Sequence, residues 1–335
     1  MGAQMRAVEI TAAGGPDVLR STTRDIPTPG PGEILIRVAA AGVNGHDLHH
    51  RNDGRHPLRP GETDLPGLEI SGLVAAVSPD VTGLREGDRV CALLRGGGYA
   101  QFCVATASHC LPVPNGMPLL DAAGLPETCF TVWSNLFVEA GLKAGERLLM
   151  NGGTSGIGMT AIQTASQLGV EVYATARGAS KCALCVDLGA RLAIDYETQD
   201  FVGAIMTATG AEGVDVVLDV VAGDYLAKDV EVLRMDGRLI IIGAARGLRA
   251  EMDFMQVVRK RLIVTGSTLR PRSDDYKAAV AQALLQQVWP LYESGRVKLI
   301  VDRRFPLEQA AEAHRVMEGR RHVGKVLLVV DESVQ

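Results

Sequence analysis

A chain of 335 residues exceeds what one hydrophobic core usually supports, so two domains are expected. Its 47% hydrophobic and 22% charged residues are those of an ordinary soluble globular protein, and a formal net charge of -5 gives no electrostatic footprint for nucleic acid or an anionic membrane. Small molecules are the expected partners.

From the N-terminus the sequence moves directly into Met5-Arg6-Ala7-Val8-Glu9-Ile10, which alternates like a strand and does not read as a signal peptide. No apolar run nears the roughly 20 residues that cross a bilayer. The longest, around Leu239 to Ala245, is strand-sized. The cysteines at 91, 103, 110, 129, 182 and 185 are scattered without a secretory signal, which suits reduced thiols and a cytoplasmic location. Cys182 and Cys185 have the spacing of half a zinc site, but no second pair exists, and they sit inside a helical pattern from Ser180 to Leu188. Core packing is the expectation for them.

Up to about residue 120 the chain reads as short strands separated by Gly and Pro turns, among them Glu33 to Val38, Ile70 to Val77 and Asp88 to Leu93. Past Asp121 the rhythm changes to strands alternating with helix-length periodic stretches, the signature of a doubly wound parallel sheet and of an α/β fold. Six strands are expected there: Arg147 to Met150, Val170 to Ala176, Leu192 to Asp195, Val214 to Asp219, Arg238 to Gly243 and Leu262 to Gly266. A single long helix from about Ser273 to Glu293 then leads to strands at Leu299 to Asp302 and Val326 to Val330, which no longer alternate with helices and are expected to rejoin the first domain.

The strand ending at Met150 runs into Gly152-Gly153-Thr154-Ser155-Gly156-Ile157-Gly158 and a helix through Leu168. In that context glycines let the backbone approach a pyrophosphate, while the positive end of the helix dipole faces the phosphates. Two rival readings fail on the residues. A nucleophile elbow needs glycine where Ile157 stands. A short-chain dehydrogenase needs a tyrosine followed four residues later by lysine, and none exists. An NAD enzyme usually ends its second strand on an acid that holds the ribose hydroxyls. Here that end reads Thr175-Ala176-Arg177-Gly178-Ala179-Ser180-Lys181, so Arg177, Ser180 and Lys181 would attract a 2'-phosphate, and NADPH is the expected cofactor.

Taken together, Gly14-Gly15-Pro16, Gly42-Val43-Asn44 with Asp47-Leu48, Gly67-Leu68-Glu69, Gly87-Asp88-Arg89-Val90, Leu125-Pro126-Glu127, Gly189-Ala190 and Val323-Gly324-Lys325 resemble the medium-chain dehydrogenase/reductase superfamily over essentially the full chain. The likeness is to its zinc-free quinone oxidoreductase branch, in particular the tumour-suppressor-induced quinone oxidoreductase group. The resemblance implies a GroES-like catalytic domain at 1–122 and 269–335 and a Rossmann domain at 123–268, with the cofactor in the cleft between them. It implies that Asn44 and Thr131 face the nicotinamide end, Gly153 and Ser155 to Ile157, including Gly156, face the pyrophosphate, Lys181 and Tyr196 face the adenosine phosphate, and Gly243, Leu269 and Lys325 line the cleft.

Zinc-dependent alcohol dehydrogenases of that superfamily have Cys where this chain has Asn44 and His where it has Leu68, so no metal is expected. His46, His49 and His50 are read as a solvated surface. Relatives often have a tyrosine in the segment at 52–57, where Arg55 and His56 stand, and an asparagine where His322 stands. His56, beside Asn44 and Thr131, is the third catalytic candidate, as a proton donor to a reduced oxygen. The expected activity is hydride transfer from NADPH to a quinone or similar conjugated electrophile. The alternatives are an enone or enoyl reductase of the same fold, or a non-catalytic NADPH-binding, crystallin-like protein. A homodimer is expected through the apolar edge strand Leu262-Ile263-Val264.

Overall fold

A computed structural model describes residues 3–54 and 63–334, so the expectations for Arg55 and His56 fall outside the described residues. The N-terminal strands are β1 (Gln4–Ile10), β2 (Leu19–Asp25), β3 (Glu33–Val43), β4 (Glu69–Val77), β5 (Arg89–Leu93), β6 (Phe102–Thr106) and β7 (Cys110–Pro112). There follow β8 (Arg147–Asn151), β9 (Glu171–Ala176), β10 (Leu192–Asp195), β11 (Val214–Asp219), β12 (Leu233–Ile241) and β13 (Ile263–Gly266), and last β14 (Val301–Pro306) and β15 (Lys325–Val329). The chain divides into two compact units, one of Met1–Phe130, Arg272–Glu293 and Leu299–Gln335, the other of Thr131–Pro271 and Ser294–Lys298.

In the first unit a seven-stranded sheet runs β14-β15-β3-β4-β5-β7, with β6 also pairing β3, and β1 and β2 form an antiparallel ribbon beside it. The sequence reading ended β3 at Val38, because Ala39-Ala40-Ala41-Gly42 has little intrinsic strand preference. The strand continues to Val43 because every residue from Val38 onward is buried. Ala39 packs with Leu119 and Val334, and Ala40 with Ala123 and Leu327, so small side chains are what admit neighbours on both faces. Antiparallel pairing of β15 with β3 sets Val326 opposite Val43, and this register carries Lys325 alongside Asn44.

The second unit is a parallel sheet in the order β10-β9-β8-β11-β12-β13, with every neighbouring pair parallel. This is the Rossmann order, and the strand order reverses between β8 and β11, where open α/β sheets bind ligands. The alternation read from the sequence holds because the inner strands β8, β9 and β11 are covered on both faces, whereas the edge strand β13 is largely exposed. Leu148 and Met150 of β8 face one core, with Ala161, Ile162 and Ala165 of the helix Gly156–Gln167, while Leu149 faces the other, with Phe201 and Ile205. Two expectations are corrected. The last two strands do alternate with a helix, Ala310–Glu318 lying between β14 and β15, which pair parallel. The stretch from Ser273 to Glu293 is two helices, Asp274–Gln287 and Trp289–Glu293, because Pro290 cannot donate to a preceding turn and its ring crowds that turn's carbonyl. Among the described residues no helix is long and apolar enough to cross a membrane, and all six cysteines are free thiols.

Candidate functional site

The glycine turn is assembled by its own backbone. Gly152 holds φ +81°, a left-handed conformation that glycine adopts without strain, and Ser155 caps the helix Gly156–Gln167 by accepting from the Gly158 N–H at 3.0 Å and donating to the Gly152 carbonyl at 2.8 Å. A Cβ on Gly158 would lie 2.3 Å from that carbonyl, so only glycine lets the helix start this close to the turn. Opening residues of a helix have N–H groups without helical acceptors, and Gly156 and Ile157 occupy those positions. The turn therefore offers donors and a positive dipole end to an anionic group.

At the end of β9 the structure brings together two of the expected phosphate residues. Arg177 donates to the Tyr196 hydroxyl at 3.1 Å, and its guanidinium lies 5.9 Å from that ring's centre. The Asp195 carboxylate is taken up by backbone donors, accepting from the Gly178 N–H at 2.9 Å and the Glu197 N–H at 3.2 Å, which holds it below the usual carboxylate range. Arg177 also pairs with Glu197 at 3.1 Å, but both side chains are half exposed, so the pair contributes little and exchanges readily for a stronger anion. Ser180 is exposed and Lys181 half-buried on the first turn of the helix Ala179–Asp187. Gly243, just past β12, backs onto Val220, whose carbonyl a Cβ there would meet at 2.8 Å; Val220 in turn presses on Gly152. Thr131 is buried at the start of the second unit, its carbonyl accepting from Asn135 at 2.7 Å, where the chain widens into a π-helical segment, Trp133–Glu139. Leu269 is half-buried beyond β13.

In the first unit Asn44 and Lys325 meet at a buried acid. The Lys325 ammonium donates to Asn44 Oδ1 at 2.6 Å and to Glu69 Oε1 at 2.5 Å, while Asn44 Nδ2 donates to the same Glu69 oxygen at 2.9 Å. Glu69 Oε2 accepts from the Glu127 backbone N–H at 2.8 Å. The Lys325 and Glu69 side chains are 4% and 0% exposed, so neither charge could sit there without the other. Gly42 makes room for the acid, since a Cβ on it would lie 2.0 Å from Glu69 Oε1.

A second chain of polar groups orients Asn44 from below. Asn44 precedes the helix Gly45–Asp53, and its backbone N–H donates to Asp47 Oδ2 at 2.8 Å, while Gly67 N–H donates to Asp47 Oδ1 at 3.3 Å. Tyr99 donates to Asp47 at 3.4 Å and meets His314 Nε2 at 3.1 Å, and Arg51 Nη1 lies 3.3 Å from His314 Nδ1. Burial holds His314 down at about 3, so it is neutral. Arg51 can only donate, which makes Nδ1 the acceptor and Nε2 the N–H, so Tyr99 in turn must donate to Asp47. Burial pushes Asp47 up to about 7 against these donors.

Of the three histidines expected on a solvated surface only His49 is exposed; His46 is half-buried and His50 buried, their ring centres 6.4 Å apart, and no group of three metal-ligating side chains gathers among the described residues. In the sequence Asp47 and Glu69 figure only as members of motifs, Asp219 only as the end of a strand, and Asn151 and Asp229 not at all. The one signal for Asp47 was its place three residues after Asn44, in the first helical turn, where an acid caps.

A seven-stranded β unit carrying Asn44 and Lys325, and a Rossmann unit carrying the glycine turn, define a medium-chain dehydrogenase/reductase. Residues 30–115 match the alcohol dehydrogenase GroES-like domain family and residues 188–328 the zinc-binding dehydrogenase family. The quinone oxidoreductase of Rattus norvegicus is 29% identical over 97% of this chain and 98% of its own. A mycobacterial protein solved in complex with NADPH is 32% identical, with a TM-score of 0.86 over 97% of this chain and 100% of its own. Escherichia coli quinone oxidoreductase, also complexed with NADPH, is 26% identical with a TM-score of 0.87, over the same shares. The chain belongs to the medium-chain dehydrogenase/reductase superfamily of oxidoreductases, in its quinone oxidoreductase branch.

Proposed function

We propose that this protein is an NADPH-dependent, zinc-independent oxidoreductase that transfers a hydride from NADPH to a quinone or similar conjugated electrophile. The observation that carries the reading is the end of β9, where Arg177 lies against Tyr196 and the nearby Asp195 carboxylate is engaged by the Gly178 N–H. That arrangement offers a cation and a hydroxyl to a 2'-phosphate, with no acid at the end of β9 itself and only the exposed Glu197 to be displaced from Arg177. The two NADPH-bound structures named above support the same cofactor.

A zinc ion does not fit the residues at Asn44. An amide, an aliphatic Leu68 and a single carboxylate replace the thiolate and imidazole that hold zinc, and the Lys325 ammonium already lies within 2.6 Å of both Asn44 and Glu69. No step of the reaction is routed through a metal. Positioning of acceptor and nicotinamide supplies the acceleration, since a conjugated acceptor needs only a hydride and a later proton.

Turnover of a quinone panel with NADPH and with NADH tests this directly, and quinone-dependent oxidation of NADPH, insensitive to chelators, is the expected result. A saturated ketone formed from an enone with no quinone turnover would replace the proposed acceptor, and NADPH binding without any turnover would replace catalysis. We also place the enzyme in the cytoplasm as a homodimer through β13, an edge strand on which Ile263 is 58% and Val264 37% exposed. Ile263→Lys is expected to yield monomers by light scattering, and a wild-type monomer would overturn the dimer.

A further inference from the structure

Beneath the glycine turn lies a run of buried polar side chains that hydride transfer does not use. The Gly152 N–H donates to Thr175 Oγ1 at 3.2 Å, Thr175 donates to Asn151 Oδ1 at 3.0 Å, and Asn151 Nδ2 donates to Asp229 Oδ1 at 2.7 Å. Asp229, on the helix Tyr225–Val232, interacts in turn with Asp219 at the end of β11. Asn151, Thr175, Asp219 and Asp229 are all fully buried. Asp219 accepts from the Val221 and Ala222 N–H groups, both at 2.7 Å, and so holds a loop in which Ala222 takes φ +53°, a left-handed conformation that costs a residue with a Cβ. Val220, the first residue of that loop, is wedged between Gly152 and Gly243.

We propose that the chain Thr175–Asn151–Asp229–Asp219 is a positioning device for the dinucleotide site, fixing the glycine turn in register with the Val220–Gly223 loop. This rests on the reading of the turn as an NADPH site. Two buried carboxyls in contact cannot both ionise. Asp219 has two backbone donors and keeps the charge. Asp229 has none, accepts only from Asn151 at Oδ1, and its Oδ2 is buried without a hydrogen-bond partner, so Asp229 is the carboxyl that holds the proton. Burial and the neighbouring Asp219 charge push the Asp229 carboxyl well up, so the proton is present at neutral pH and leaves only as the pH rises. The other titratable group against Asp229 is Tyr225, itself pushed up by burial, with Tyr196, Asp224 and Arg246 around its ring. Loss of the Asp229 proton puts two charges under the turn and drives the loop and turn apart.

The test compares Asp229→Asn, Asp229→Ala and Asn151→Ala with the wild type, by amide hydrogen exchange without cofactor and by NADPH affinity as a function of pH. An asparagine at 229 still accepts from Asn151 and is neutral like the protonated acid, so exchange at Gly152, Val221 and Ala222 and NADPH affinity stay within about twofold of wild type. Removing the carboxyl, or the Asn151 amide, leaves a buried partner unpaired and is expected to speed those amides and weaken NADPH by about tenfold or more. Wild-type affinity falls on the alkaline side, and that of Asp229→Asn does not. Asp229→Ala indistinguishable from wild type in exchange, or Asp229→Asn as damaged as Asp229→Ala, overturns the proposal. A wild type that does not bind NADPH yet shows the exchange contrast sinks the cofactor reading alone and supports the lock.

Discussion

The glycine turn and the Asn44–Glu69–Lys325 cluster solve the same problem, a fixed polar surface, by opposite means. The turn uses backbone: seven consecutive residues, a positive φ and one serine cap present N–H groups without burying a charge. The cluster uses buried side chains drawn from residues 44, 69 and 325, two of them charged, which bond one another while Glu69 also accepts from the Glu127 N–H. A backbone device tolerates the loss of a contact but not of space. A buried charged one tolerates a change of shape but not the loss of a partner.

The largest expected effect tests the cluster. Lys325→Met alone, or Glu69→Gln alone, strands a buried charge or its donors and should cost about 3–5 kcal/mol in denaturant unfolding. The double variant should recover much of that, and simple additivity of the two losses would show that the pair is not the unit described. Next is the turn. Gly158→Ala puts a Cβ 2.3 Å from the Gly152 carbonyl, so the turn must open; a stability loss of about 1–3 kcal/mol with at least about tenfold weaker NADPH binding is expected by calorimetry. Unchanged binding would remove the turn from the cofactor site.

A smaller effect is expected at the rim. Arg177→Ala removes one charge-assisted bond to a 2'-phosphate, worth about 1.5–3 kcal/mol, and should reduce the preference for NADPH over NADH by about tenfold or more, read as a ratio of dissociation constants. A ratio that does not move would assign the phosphate elsewhere. The mildest is a pH profile. Asp47 ionises at about 7 in the fold, against 3.8 unfolded, so its carboxylate accepts from Asn44, Gly67 and Tyr99 only above about pH 7. Because the folded value is raised, this group favours the folded state at low pH and less so as the pH rises through 7. The opposite holds for His314, whose folded value of about 3 makes it lose stability as the pH falls below 6.5. An acid limb in kcat/KM near pH 7 is therefore expected without unfolding, and a profile flat across neutrality would detach Asp47 from the site.

Much of the second unit was legible because its signals are local. Strand and helix periods alternate, six strands fall close to where the pattern puts them, and the turn lies within one stretch of seven residues. Arg177 stood out where an acid was absent, Tyr196 came only from the family resemblance, and parallel pairing of β9 with β10 brings the strand ends that carry them side by side. The extension of β3 through Ala39-Ala40-Ala41-Gly42 was not legible, since only burial on both faces makes a poor strand former extend. The break at Val288 was available in Pro290 and outweighed by the helical period around it.

The sequence by itself determined the α/β class, the six parallel strands, the glycine turn and the want of thiolate and imidazole at a zinc position, because each depends on residues adjacent in the chain. Only tertiary structure decided that Lys325 meets Glu69, that Arg51 reaches Asp47 through His314 and Tyr99, and that Asn151 joins Asp229 and Asp219 under the turn. The physical reason is burial. A charged or amide side chain reads in sequence as surface, and becomes a fixed part of a site only where the fold withdraws water and leaves another side chain as its sole partner.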